Sequence, residues 1–274
     1  MPQRIESKQN PRYRRWQAVV RGSKKSGQVF LEGQRLCADA LAAGVAVDVV
    51  LQADTLQPAA AAWLETLPDT FARCSLPDSL FEALSGTRHP QGVALICASP
   101  LLERPQAPAK ADGLYLVADG IGDPGNLGTM IRTADAFAFD GVLVTSGTVW
   151  PLNPKVLRAT MGAAFHVPLL AFEDLADVVK WLSGADLPLF AADPGGDRPP
   201  ETLPGRGAIL VGSEAHGISR AAAKLAQALV SIPMPGRAES LNAATAAAIC
   251  AYAMMRQKIQ ANHECREEVQ AGCK

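Results

Sequence analysis

The chain has 274 residues, 48 % hydrophobic and 19 % charged, which is enough apolar mass for a buried core and excludes disordered and fibrous classes. Its 23 glycines and 20 prolines follow no period, and no apolar run approaches the roughly 18 residues of a membrane span. The net charge of −1 hides an asymmetry: residues 1–25 carry eight basic residues against Glu6 alone, so this arm is +7 and the remainder −8.

Within the arm, Tyr13 and Trp16 alternate with Arg12, Arg14 and Arg15. Arginines with interleaved aromatics suit phosphate binding with some base stacking, and a solvated terminus is the competing reading. Pro2, Glu6 and Pro11 interrupt an amphipathic helix and argue against a transit peptide. After the arm, residues 26–99 read as a small α/β domain. It comprises a short strand from Val29, a helix ended by Gly44, a strand over Val45 to Leu51, helices at Ala59 to Leu67 and Leu76 to Leu84, and a strand from Gly92 to Ala98. Residues 100–112, with three prolines, form the linker to a second domain.

From Gly113 the chain alternates. Strands are expected at Leu114 to Ala118, Gly141 to Thr145, His166 to Leu170, Leu187 to Ala192, Gly207 to Val211 and Leu229 to Ile232. Helices are expected at Gly128 to Phe137, Pro154 to Met161, Phe172 to Leu182, Ser219 to Leu225 and Leu241 to about Gln260. This predicts an α/β domain over 113–260 with a parallel sheet and a ligand at the strands' carboxyl ends, followed by a polar tail at 261–274. The six cysteines, at 37, 74, 97, 250, 265 and 273, have neither CxxC nor metal-ligand spacing, so they read as reduced core thiols and no metal is assigned.

One glycine pattern is a decoy. Gly120, Gly122 and Gly125 match G-x-G-x-x-G, with Asp140 about twenty residues on. Asp140, however, precedes its strand where a dinucleotide fold needs an acid ending one, and Asp123-Pro124 is expected to delay the helix.

Three other stretches carry more. Asp119 to Ala134 (DGIGDPGNLGTMIRTA), Leu210 to Ser219 (LVGSEAHGIS) and Ile232 to Ala248 (IPMPGRAESLNAATAAA) resemble, in this order, the three motifs of the SpoU, or TrmH-type, RNA ribose 2′-O-methyltransferases of the SPOUT superfamily. Phe30 to Gly44 and His89 to Gly92 more weakly resemble the small L30e-type RNA-recognition domain that many members carry. The resemblance implies a deep trefoil knot in the parallel-sheet domain, which general topology rules would forbid, and a cytoplasmic, homodimeric enzyme using S-adenosylmethionine. The implied partner is RNA, ribosomal rather than transfer, with no DNA and no membrane; a non-catalytic RNA-binding or ribosome-associated protein is the alternative.

The resemblance places Gly212, Ile232 and Leu241 at the cofactor. Glycine would let backbone approach a nucleoside closely, and Ile232 and Leu241 would supply apolar walls, although all three also suit ordinary turn and core roles. Asn126, Arg132, Glu214, Ser240 and Asn242 match the family's catalytic positions. Asn126 also suits a helix cap, and from that cap position six residues would bring Arg132 to roughly its side. Arg132 lies in an otherwise apolar stretch, so it needs an anion, either an RNA phosphate or Glu214. Glu214 is implied to organise the site, and Ser240 also reads as the N-cap of the last helix. Lys155 and Arg158, three apart, suit RNA backbone or a solvated helix face. His216 and Ala243-Ala244-Thr245 depart from the motifs and bear on target choice more than on the reaction.

Overall fold

The computed structural model describes residues 2–21, 27–102, 105 and 107–271. The chain divides into two compact units, residues 1–100 with 150–166, and residues 101–149 with 167–274. The expected linker is thus a boundary at Pro100, and the segment 150–166, expected in the second domain, groups with the first.

In the first unit, β1 (Gln3–Arg4), β2 (Gln28–Glu32), β3 (Val47–Ala53), β4 (Arg73–Leu76) and β5 (Val93–Ala98) form a mixed sheet in the order β1-β4-β3-β5-β2. Helices α1 (Pro11–Val20), α2 (Gln34–Ala42), α3 (Pro58–Glu65) and α4 (Asp78–Leu84) connect them. The described part of the basic arm, residues 2–21, therefore belongs to this unit and contributes to its core. Pro11 opens α1 at a position where its missing N–H costs nothing, and the Asn10 side chain accepts from Arg12 N. Tyr13, Trp16 and Val19 then recur on one side of the helix and are buried with Ile5, Phe30 and Phe81. The Tyr13 hydroxyl donates to Leu80 O at 2.8 Å. Each large apolar side chain so buried contributes about 1.5–3 kcal/mol, which outweighs the repulsion among solvated arginines. Tyr13 and Trp16 are consequently not base-stacking platforms. Lys24 and Lys25 fall outside the described residues.

In the second unit, β6 (Leu101–Leu102), β7 (Leu114–Ala118), β8 (Gly141–Val144), β9 (Leu169–Ala171), β10 (Leu189–Ala192), β11 (Gly207–Val211) and β12 (Ala228–Val230) form a wholly parallel sheet in the order β12-β10-β11-β7-β8-β9-β6. Every residue of β7 and β11 is buried, the continuous apolar pattern of strands covered on both faces. The helices are α5 (Pro124–Ala136), α7 (Leu175–Ser183), α8 (Arg220–Leu225) and α9 (Ala243–Ala271), while α6 (Pro154–Thr160) belongs to the first unit. Helix α9 runs into the expected polar tail as far as Ala271, the last described residue. Asp123-Pro124 starts α5 instead of delaying it, because proline is well suited to the first helical position.

Asp140 has a structural task at the amino end of β8. Its carboxylate accepts from Lys110 Nζ at 2.6 Å and Leu114 N at 3.0 Å, with Lys258 Nζ at 3.7 Å, so it ties the start of β7 to α9. Burial alone would raise its pKa, but these cations and the amide outweigh that and hold it below the usual carboxylate range. Cys37, Cys74, Cys97 and Cys250 are buried free thiols, and desolvation pushes Cys97 and Cys250 up to about 12.

Candidate active site

The parallel sheet of the second unit brings the carboxyl ends of β7, β10, β11 and β12 to one edge, where all three motifs emerge. After β7, the Asp119 carboxylate accepts from Thr145 Oγ1, and Gly120, at φ +71°, donates from its backbone to Thr148 Oγ1 at 3.0 Å. The positive φ explains the glycine. Asp123 then caps α5, its side chain accepting from Asn126 N at 2.8 Å. Asn126 is therefore not the cap, and its side chain is left for another use.

That use is a relay joining the three motifs. The Glu214 carboxylate accepts from Gly122 N at 3.0 Å, Asp123 N at 3.2 Å and Asn126 Nδ2 at 2.7 Å. Asn126 Oδ1 accepts from Asn242 Nδ2 at 2.8 Å. Asn242 Oδ1 accepts in turn from Ala244 N at 2.9 Å and Thr245 N at 3.2 Å, which caps α9. Asn242 thus takes the capping role expected of Ser240, which is exposed. Partial burial would raise the Glu214 pKa, yet the Asn126 amide and the backbone N–H groups favour the charged form more and hold it below the usual range. Ionised, it has acceptor capacity for all three donors.

Gly212 follows β11, and a Cβ there would lie 2.6 Å from Ile218 N and nearer still to the Gly217 carbonyl. The close approach is made by this chain's own turn, in which Gly217 N donates to Ser213 O at 2.8 Å. A side chain at 212 would therefore disrupt the turn that carries Glu214, so the turn role that the sequence also allowed for this glycine is met by the chain itself.

Ile232 and Leu241 are half-buried and bound an irregular segment after β12. Among the described residues, 232–241 make no hydrogen bond, so their backbone donors and acceptors are unspent. Beside this segment, Asp193 N, just past β10, donates to Val230 O at 2.9 Å.

Arg132 lies outside the relay. At 100° per residue it stands about 120° around α5 from Asn126, so the two do not share a face. Arg132 is exposed and, among the described residues, has no hydrogen-bond or ion-pair partner; Glu214 is committed elsewhere. In the first unit Arg12, Arg14 and Arg15 are exposed on α1, hydrogen-bonded to Gln3, Gln9 and Gln28 respectively. Lys155 is exposed, whereas Arg158 is half-buried with Nη1 3.9 Å from Glu32 Oε2. The sequence reading missed the Gly122 and Asp123 amides and the Asp119–Thr145 pair. The Asp-Pro dipeptide was the available signal for the first two, since it marks a capped helix start.

Comparison with known proteins covers both units. The model of the SpoU rRNA Methylase family matches residues 113–252, and that of the MRM3-like substrate binding domain matches residues 12–95. The chain is 32 % identical to the 23S rRNA (guanosine(2553)-2′-O)-methyltransferase RlmP of Bacillus subtilis, covering 90 % of this chain and 97 % of that one. It is 30 % identical to the 23S rRNA (uridine(2479)-2′-O)-methyltransferase of Streptomyces viridochromogenes, over 93 % of each chain. The crystal structure of the SpoU methyltransferase AviRb from Streptomyces viridochromogenes in complex with the cofactor AdoMet superposes with a TM-score of 0.80 at 28 % identity, covering 91 % of this chain and 98 % of that one.

Proposed function

Because the chain belongs to the SpoU rRNA methylase family, we propose that its second unit transfers the methyl group of S-adenosylmethionine to a ribose 2′-hydroxyl of structured RNA, ribosomal in preference to transfer RNA, in the cytoplasm. The observation that carries this reading is the Glu214–Asn126–Asn242 relay, which joins residues from all three motifs through side chains alone.

The residues after β12 fit a nucleoside. Half-buried Ile232 and Leu241 offer apolar walls, and the unspent backbone groups of 232–241 offer the donors and acceptors that an adenine edge requires. Gly212 maintains the adjoining turn. S-adenosylmethionine bound there supplies a methyl group made electrophilic by its sulfonium.

The chain's own residues divide into two roles. Glu214, Asn126 and Asn242 are positioning residues: their polar atoms are spent on one another and on backbone, fixing the starts of α5 and α9. Arg132 and Ser240 face solvent, available to RNA. A guanidinium stays protonated above pH ~12, so Arg132 serves as a fixed cation that grips a neighbouring phosphate and favours ionisation of the ribose hydroxyl. Arg12, Arg14, Arg15, Lys155 and Arg158 contribute phosphate contacts from the first unit. The family resemblance adds a trefoil knot in the second unit and an L30e-type fold for the first.

The direct test incubates the pure protein with ribosomal RNA from cells lacking it and methyl-labelled S-adenosylmethionine, then digests the RNA to nucleosides. A labelled 2′-O-methylnucleoside is the expected product, and RNA binding without label would leave only a binding protein.

The homodimer is carried by α9. Ile249, Tyr252 and Ile259 are 36 %, 49 % and 49 % exposed and stand three and seven residues apart, an apolar stripe at helical spacing. Tyr252 rests against Phe137, ring centroids 5.8 Å apart. Light scattering at micromolar concentration is expected to give a dimer mass, and Ile249→Glu with Tyr252→Glu is expected to give the monomer. A monomer from the unaltered chain overturns the dimer.

A further inference from the structure

The loop that joins β7 to α5, residues 119–123, has no regular structure, yet its backbone is held from three sides. From β11, Val211 O accepts from Asp119 N at 3.0 Å. From the turn that follows β11, the Glu214 carboxylate accepts from Gly122 N and Asp123 N. The third side is the segment 145–149, just past β8, which lies in none of the three motifs. There Thr145 Oγ1 donates to the Asp119 carboxylate, and Val149 N donates to Ile121 O at 2.7 Å. Between these two contacts the Thr148 hydroxyl donates to Ala118 O at 2.9 Å and accepts from Gly120 N at 3.0 Å. A hydroxyl can do both from one atom.

The segment that supplies these hydroxyls is itself fixed. Thr145 is 4 % exposed, and its N–H donates to Ala118 O at 3.2 Å. Thr148 N donates to Thr145 O at 3.2 Å, and the Ser146 hydroxyl donates to Glu173 O, beyond β9. Threonine side chains branch at Cβ and have few rotamers, so both hydroxyls are aimed before any ligand arrives.

We infer that Thr145 and Thr148 are positioning residues for methyl transfer, acting through Asp119 and Gly120 to fix the path of the chain from β7 into α5; the inference rests on the methyl-transfer function proposed above. Glu214 holds the far end of the loop, at Gly122 and Asp123, whereas the threonines hold its beginning. Gly120 bends the loop at φ +71°, and a glycine has no side chain to keep such a bend, so bonds from outside must keep it. Asn126 and Arg132 both lie on α5, and an error in where that helix starts is carried to both. Misplacement by about 1 Å costs a reaction about 10²-fold, whereas one hydrogen bond between neutral groups contributes little net stability. The threonines therefore matter more to the rate than to the fold.

The test compares valine and serine at both positions in the full chain, with ribosomal RNA from cells lacking the protein and methyl-labelled S-adenosylmethionine. Thr148→Val keeps the shape of the side chain and loses both of its hydrogen bonds. It is expected to lower kcat about 10–100-fold, with KM for RNA and S-adenosylmethionine affinity kept and the melting temperature down by only a few degrees. Thr145→Val should act in the same sense, and Thr148→Ser and Thr145→Ser, which restore the hydroxyl, should recover most of the rate. Hydrogen exchange supplies a readout free of turnover: in Thr148→Val the Gly120 amide should exchange about tenfold faster, and the Gly122 amide, whose acceptor is Glu214, should follow it. Valine variants that transfer at the unaltered rate beside an active unaltered protein overturn the role of the threonines, as does a rate loss that serine fails to restore. If the unaltered protein itself forms no labelled 2′-O-methylnucleoside, the methyl-transfer function fails and the threonines' part in it falls with it.

Discussion

Arg132→Ala is expected to cut methyl transfer by about 10²–10³-fold, the loss typical of one preorganised electrostatic contact, while S-adenosylmethionine binds near its unaltered affinity. The separation follows from what Arg132 touches: it is exposed and, among the described residues, has no hydrogen-bond or ion-pair partner, so its removal breaks no contact within the chain. Because no ion pair is broken, the melting temperature should hardly move. Arg132→Lys keeps the charge and loses the planar fork, so partial rescue identifies charge stabilisation and no rescue identifies two-point grip of a phosphate. Single-turnover transfer and calorimetric cofactor titration on the same preparations measure both quantities. Turnover by the alanine variant at the unaltered rate would remove Arg132 from the reaction.

Glu214→Gln is expected to cost about 10²-fold in transfer with the fold retained, since small misplacements of reacting groups have effects of that size. The amide is nearly isosteric, but its NH2 must face one of the donors now held by the carboxylate: Gly122 N, Asp123 N or Asn126 Nδ2. One link is therefore lost, and the loop that carries residue 214 is tied less firmly to the start of α5, while Asn126 and Asn242 keep their own hydrogen bond. The pH dependence has a definite sign. The folded-state pKa of Glu214 lies below its unfolded value, so the relay's contribution is complete above the unfolded pKa and is lost only as pH falls through the folded one. Any acid limb of the transfer profile that Glu214 causes should lie below the ordinary carboxylate range and be absent from Glu214→Gln. An unchanged rate and profile in this variant would reduce the relay to a structural brace.

The parallel architecture was legible because apolar runs such as Leu114 to Ala118 and Gly207 to Val211 have the length and continuity of strands buried on both faces. The motif residues were legible by resemblance. What the sequence concealed was pairing. Asn126 and Glu214 are 88 positions apart, and nothing local to either shows that a carboxylate in one loop accepts from an amide in another. Local alternatives also misled: Asn126 and Ser240 are good caps, but Asp123 and Asn242 take those positions. In α1 the charge count drew attention to Arg12, Arg14 and Arg15, whereas the burial of Tyr13, Trp16 and Val19 decides where the segment sits. The grouping of 150–166 with the first unit had no sequence signal, since α6 follows β8 in an unbroken alternation.

The relay also has a polarity. Glu214 can only accept, so Asn126 must present its NH2 to it and its oxygen to Asn242; Asn242 must then present its NH2 to Asn126 and its oxygen to the start of α9. Each link fixes the orientation of the next, and the chain of amides cannot run backwards. Exchange of a single NH2 for oxygen, the change that deamidation makes as a protein ages, therefore has unequal consequences at the two asparagines. Aspartate at 242 would still cap α9 but would lose its hydrogen bond to Asn126 and set an oxygen against the neutral Asn126 Oδ1. Aspartate at 126 would set a second carboxylate against Glu214, so the slow chemistry of storage threatens this site through Asn126 far more than through its neighbour.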